Sequence, residues 1–307
     1  MKKSYEIDMC NGPLLGKILV FSIPLMLSGI LQLLFNAADI IVVGRFAGST
    51  ALAAVGSTAS LINLMINVFV GLSVGVNVLA ARYYGAQKEK DIQDTVHTAI
   101  MMAILSGLFL VVLGESASKP MLTLMGTPDD VLDQAALYLR IYFFGMPVLM
   151  IYNFGAALLR AVGDTRRPLY FLFAAGAVNV VLNLFFVIQL GMGVDGVAWA
   201  TVISECVSAG LIIRSLMKEN GAMKLHLTKL RIVSGKLTQI VRVGLPAGMQ
   251  GAIFSISNVL IQSSVNSFGS IAMAGNTASS NIEGFVYTAM NAVYQTCLLY
   301  TSPSPRD

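Results

Sequence analysis

A chain of 307 residues that is 56% hydrophobic and only 12% charged, with a mean hydropathy of +0.74, is far too poor in charge for a soluble domain, where about a quarter of residues are charged. Its apolar runs are unbroken, which excludes a β-barrel, since barrel strands alternate in polarity.

Runs long enough to cross a bilayer, about 20 residues, fall near 17–43, 51–80, 95–114, 134–157, 168–190, 196–217, 239–264 and 272–299. These eight spans predict an all-α polytopic membrane protein. The first is too long for a cleaved signal peptide and lacks a small-residue cleavage site. With the N-terminus inside, sixteen lysines and arginines fall on inside segments, among them Lys17, Arg82, Lys88, Lys90, Arg160, Arg166, Arg167 and Arg214. Only Arg45, Lys119 and Arg140 fall outside. This bias obeys the positive-inside rule, so the net charge of +4 reports topology rather than nucleic-acid binding. It predicts a multi-pass protein of the inner (plasma) membrane with a cytoplasmic N-terminus. QKEKD (Gln87–Asp91) and GDTRRP (Gly163–Pro168) read as solvated cytoplasmic turns.

Cys10, Cys206 and Cys297 show no CxxC spacing and suit apolar packing. His97 and His226 stand alone, and no HExxH, GxSxG or Walker pattern occurs. GMGVDG (Gly191–Gly196) joins two spans and follows no strand, so it is a turn and not a nucleotide loop. The expectation is a protein without enzymatic activity, resident metal or cofactor.

The chain repeats itself. Pro24, Gly29, Asn36 and Phe46 match Pro246, Gly251, Asn258 and Phe268 at an offset of 222 residues, and GSTAS (Gly56–Ser60) matches GNTASS (Gly275–Ser280) at 219. The first and seventh spans are thus related, and so are the second and eighth. An even number of spans separates the partners, which gives a parallel repeat about an axis along the membrane normal, a recurrent plan of secondary transporters. Two equal repeats would total roughly 440 residues. The chain is therefore expected to be C-terminally truncated, with a six-helix lobe over 1–217, a cytoplasmic linker over 218–237 and an incomplete second lobe over 238–299. The tail 300–307, YTSPSPRD from Tyr300, reads as aberrant where a helix exit is expected.

Polar residues inside spans stand out against this background. Gln32, Asn36 and Asp39 are spaced i, i+4, i+7 and share one helix face. Asn179 and Asn183 do the same on the fifth span, and Thr201 adds a hydroxyl on the sixth. A carboxylate in a membrane span is costly and functional by default, so Asp39 is the leading candidate. Carboxylate, amide and hydroxyl oxygens suit a hard monovalent cation, whereas a proton needs only the carboxyl. Convergence of the four residues would favour Na⁺. Of Asn63, Asn67, Asn77 and Asn153, some are expected to make ordinary interhelical hydrogen bonds. Glu205 and Glu283 are further intramembrane acids. Glu205 reads equally as structural or functional, and Glu283 as a residue of the cleft. Pro24, Pro147 and Pro246 permit kinks, and GLSVG (Gly71–Gly75) suits close helix approach.

The pattern Pro24, Asp39, Gly44, Arg45, followed by ALAAVG (Ala51–Gly56), resembles the multidrug and toxic compound extrusion (MATE) transporters. So do ARYYGA from Ala81, LLRAVGDTRRP (Leu158–Pro168), and NVVLNLFF through GVDGVAWATVISE (Asn179–Glu205). The likeness runs from about Gly12 to Leu298 and is nearest to the DinF-like branch. It implies two six-helix lobes in a V, of which this chain holds one plus two helices of the second. It also implies a monomer in the lipid bilayer that exports small cationic, amphiphilic compounds against an inward flow of Na⁺ or H⁺. Asp39 matches the family's first-span aspartate. Two departures weaken a copied mechanism. Asn183 stands where many relatives of this branch carry aspartate, and Phe254 stands where NorM-type relatives carry a glutamate. The alternative is a flippase for a lipid-linked intermediate, which would need several basic residues in the cleft to hold phosphate. The spans show almost none.

Overall fold

The computed structural model describes residues 14–124, 127, 129–219, 221–266, 283–284, 286–294 and 296. Regular structure among them is helical throughout: α1 (Leu14–Val42), α2 (Ser49–Gly85), α3 (Glu89–Leu124), α4 (Asp129–Phe144), α5 (Met146–Ala161), α6 (Arg166–Leu184), α7 (Val194–Lys218) and α8 (Ser234–Asn266). The described part of 283–296 is helical as well. Among the described residues six helices are long and apolar enough to cross a membrane, or seven if α4 and α5 are one bent span. The Cys10, Cys297, Phe268, Gly275–Ser280 and 300–307 readings lie outside the described residues.

The single span expected over 134–157 is a broken one. α4 and α5 meet at Gly145 with a bend of 49°. Pro147 explains the place. It sits in the first turn of α5, where its missing N–H costs nothing, while its ring would clash with the Phe143 carbonyl in a continuous helix. Pro24 and Pro246, by contrast, lie inside uninterrupted helices.

α5 is the hub of the bundle. Phe154, Leu158 and Leu159 are fully buried, and α3, α2 and α7 all pack against it. Gly107 of α3 lies against the Pro147 backbone, and Gly155 of α5 receives Ile212 of α7. The perimeter is the reverse of a soluble protein's. Val112, Val181 and Ile253 are 69%, 65% and 62% exposed, an apolar face that only lipid solvates cheaply.

α8 lies along α2 through a glycine seam. A methyl added at Gly71 would fall on the Gly248 backbone, and one at Gly75 on the backbone of Ile240 and Gly244. GLSVG is thus a packing element, as its small residues suggest.

The two turns read as solvated behave differently. QKEKD is exposed apart from the half-buried Asp91. GDTRRP is largely buried, with Asp164 and Thr165 0% and 1% exposed and Arg166 alone exposed to solvent. Asp164 Oδ1 accepts from the backbone N–H groups of Arg166 (3.1 Å) and Arg167 (3.0 Å), capping α6. Arg167 then pairs with both Asp164 and Glu219. Local charge density suggested water, but the charges neutralise one another inside the fold.

Segment 219–233, between α7 and α8, is pinned to the start of α3. Arg231 pairs with Asp94 at 2.6 Å, the Val233 N–H donates to Thr98 Oγ1 at 3.2 Å, and Leu225 is buried. Lys236, opening α8, pairs with Asp91 at 2.7 Å over the Tyr83 ring.

Candidate functional site

Four of the polar residues singled out from the sequence meet at one end of the bundle. Asn183 of α6 donates from Nδ2 to Asp39 Oδ1 of α1. The same amide group donates to Asn179 Oδ1 at 3.2 Å. Asn179 Nδ2 in turn donates to Thr201 Oγ1 of α7 at 3.4 Å, and the Thr201 hydroxyl donates to the Val197 carbonyl at 3.0 Å. Asn179 and Asn183 are 5% and 1% exposed. The geometry requires α1 and α7 to lie on either side of α6, as they do, with Phe35 of α1 seated over Gly176 of α6.

The backbone is irregular there. α1 runs into a π-turn over Val43–Ala47, one turn beyond Asp39, and α6 into another over Phe185–Gln189, just beyond Asn183. The two π-turns touch each other. Such turns widen a helix and cluster at functional positions. Neither was visible in the sequence, because nothing in VGRFA or FFVIQ distinguishes an i→i+5 bond from an i→i+4 bond.

The oxygens are unevenly engaged. Asn183 Oδ1 is buried without a hydrogen-bond partner, while Asn179 Oδ1 and the Thr201 hydroxyl are occupied by their neighbours. Glu205 of α7 stands apart from this chain of hydrogen bonds. Tyr138 of α4 is buried and stacks on Tyr142 of the same helix with centroids 6.1 Å apart. The sequence reading passed over both, since a tyrosine in a span carries no mark separating it from membrane packing.

Gln32 and Asn36 do not join Asp39. They face a cavity of about 520 Å³ between α1, α2, α5 and the 283–296 segment. Asn63, Asn77 and Asn153 line it too. Asn67 instead donates to Ser255 Oγ at 2.7 Å, an interhelical bond between α2 and α8. Glu283 is exposed and outside the cavity lining, although Tyr287, Thr288 and Asn291 of the same segment contribute to it. Phe254, in the position of the missing acid, stacks on Tyr287 with centroids 6.0 Å apart.

The MatE family model matches residues 24–185, more than half of the chain. The chain belongs to the MatE family. It is 32% identical over 276 residues to the "Probable multidrug resistance protein YoeA" of Bacillus subtilis, a match covering 87% of this chain and 59% of that protein. It is 25% identical to the "FAD transporter" of Shewanella oneidensis, covering 93% and 64%. A solved structure described as the "Outward-facing conformation of a multidrug resistance MATE family transporter of the MOP superfamily" superposes with a TM-score of 0.88 at 25% identity, covering 98% of this chain and 67% of that one. The chain thus spans about three fifths of the length of the curated relatives it matches. MatE proteins are transporters, not enzymes, and the helical architecture is that of the family.

Proposed function

We propose that the protein is a cation-coupled antiporter that exports small amphiphilic compounds, with Asp39 as the coupling acid. The observation that carries this reading is the hydrogen-bonded chain Asp39–Asn183–Asn179–Thr201, which links three helices through one membrane carboxylate. Relatives named as multidrug resistance and export proteins support the drug-export half. The coupling ion is Na⁺ or H⁺, and no other cofactor is invoked. A proton neutralises Asp39 and leaves the amides in place. Na⁺ needs oxygens, so Asn183 must turn its amide over and present the unpartnered Oδ1 beside Asp39; amide orientation is a matter of a 180° rotation. Either event removes a buried charge and changes the cost of packing α1 on α6.

On this reading the protein works as a monomer in the plasma membrane with its N-terminus in the cytoplasm. Cationic amphiphiles are the expected cargo. Dye accumulation in cells expressing the protein tests the proposal, with the Na⁺ and H⁺ gradients collapsed separately. Export that survives the loss of both gradients would overturn it.

A further inference from the structure

Among the described residues that line the cavity faced by Gln32 and Asn36, one is charged, and the charge is positive. Arg160, near the end of α5, lines it, and no Asp or Glu does. Among the described residues the Arg160 side chain makes no hydrogen bond and no ion pair, and its Nε is buried without a partner. The acid nearest in sequence, Asp164, is occupied by Arg167 and by two backbone N–H groups. A guanidinium does not lose its proton in a protein, so the charge stands uncompensated in the wall.

Two more orphans line the same space. Thr165 Oγ1 and Asn77 Oδ1 are buried and unpartnered, with the residues 1% and 8% exposed. Buried polar groups are nearly always satisfied. Three such residues in the wall of one cavity give it an uncommonly polar lining, with hydrogen-bonding capacity that no protein group uses.

We propose that this cavity binds the anionic group, a phosphate or carboxylate, of a small amphiphile. The Arg160 fork grips two of its oxygens, as guanidinium does with planar or tetrahedral anions. The Thr165 hydroxyl donates to a third. Asn77 accepts from a phosphate P–OH through Oδ1, or with its amide turned over donates to a carboxylate. Leu25, Leu33, Val70 and Val74 line the rest and receive the apolar body, and about 520 Å³ falls within the usual range for a small-molecule pocket. The site extends the cargo beyond cations, and it stands whether or not Asp39 couples transport. The anion can belong to a soluble compound or to a lipid headgroup.

Binding to the purified chain in neutral detergent tests this, read by fluorescence anisotropy with two dyes on one xanthene core, anionic fluorescein and cationic rhodamine 6G. Fluorescein is expected to bind about tenfold tighter or more, and Arg160→Gln to erase that preference, since a hydrogen bond to a charged group carries that much. Arg160→Lys should keep most of it. Displacement by phenyl phosphate marks a soluble ligand, and displacement only by short-chain phosphatidylglycerol marks a headgroup; either supports the site. Equal binding of the dyes, a preference untouched by Arg160→Gln, or displacement by neither competitor overturns it. Should Arg160→Gln fail to fold, Thr165→Val decides. It has to weaken fluorescein about tenfold or more, the worth of a hydrogen bond to a charged group, while sparing rhodamine 6G; if it does not, the proposal falls.

Discussion

Asp39 and Arg160 are both charged residues inside a membrane bundle, yet the chain treats them oppositely. The Asp39 carboxylate accepts from the Asn183 amide, whereas Arg160 Nε finds no acceptor. If the carboxylate is the coupling group, Asp39→Asn abolishes gradient-dependent export while leaving insertion and thermal stability near wild type, because an asparagine keeps the shape and can still accept from Asn183. Asn183→Ala keeps the carboxylate and removes its donor, so export should fall partially. Transport assays on both variants, with detergent melting curves as a folding control, check the order. Equal losses would assign both to packing. At this scale much of the candidate site was readable: Asp39, Asn179, Asn183 and Thr201 followed from spacing and from the cost of polarity in lipid. Arg160 was not. In sequence it lies near Arg166 and Arg167 and counts as a loop charge, and only the packing of α5 against α2 turns it toward the cavity that α1 also lines.

Elements show where local pattern runs out. Apolar runs located the spans because a membrane helix must bury its own backbone polar groups, which fixes length and composition together. They could not locate the break at Gly145, since apolarity continues across it. The glycine seam of α2 and α8 yields a sharp test. Gly71→Ala forces a methyl onto the Gly248 backbone, an overpacking expected to cost about 1–3 kcal/mol. Gly56→Ala, on the same helix with nothing near its added methyl, should be neutral or slightly stabilising, by up to about 1 kcal/mol. Melting temperatures of the two variants decide it.

The docked segment between α7 and α8 carries a pH dependence. The His226 backbone N–H donates to His97 Nε2 at 3.2 Å, and the two rings stack. His97 Nδ1 meets the Gln93 carbonyl at 2.7 Å. Partial burial, then Lys229, Lys224 and His97, lower the pKa of His226 below its ordinary value. A lowered histidine pKa means that the undocked segment takes up its proton first. Docking is therefore at full strength above about pH 6.5 and weakens as pH falls through the lowered folded value. Hydrogen-exchange protection over 221–237, corrected for intrinsic rate, should drop between pH 7.5 and 5.5. His226→Gln should flatten that response.

At the scale of the whole molecule, charge sorts the two ends of the bundle. One end gathers Arg82, Lys88 and Lys90 at the α2–α3 turn, and Arg214, Lys218, Lys224, Lys229, Arg231 and Lys236 around the α7–α8 connection. The opposite end holds Arg45, Lys119 and Arg140, and two of these are paired, Lys119 with Asp133 at 2.9 Å and Arg140 with Glu115 at 3.6 Å. Removing Arg160 and Arg167 from the count, as the cavity and the Asp164–Glu219 ion pairs require, leaves the asymmetry strong. Because translocation of short basic loops is disfavoured, the lysine-rich end should stay in the cytoplasm and the Asp39 end should face outward. Counting about 1.5 Å per residue, Asp39 lies roughly 33 Å along α1 from Lys17, so in that orientation an ion arriving from outside should reach it. In a cysteine-free background, Lys88→Cys and Leu190→Cys put single thiols on the exposed turns at the two ends. A membrane-impermeant maleimide should label Leu190→Cys in intact cells, and Lys88→Cys only after permeabilisation. The reverse pattern would invert the bundle, put Asp39 on the cytoplasmic side, and remove it from the path of an inward-flowing ion.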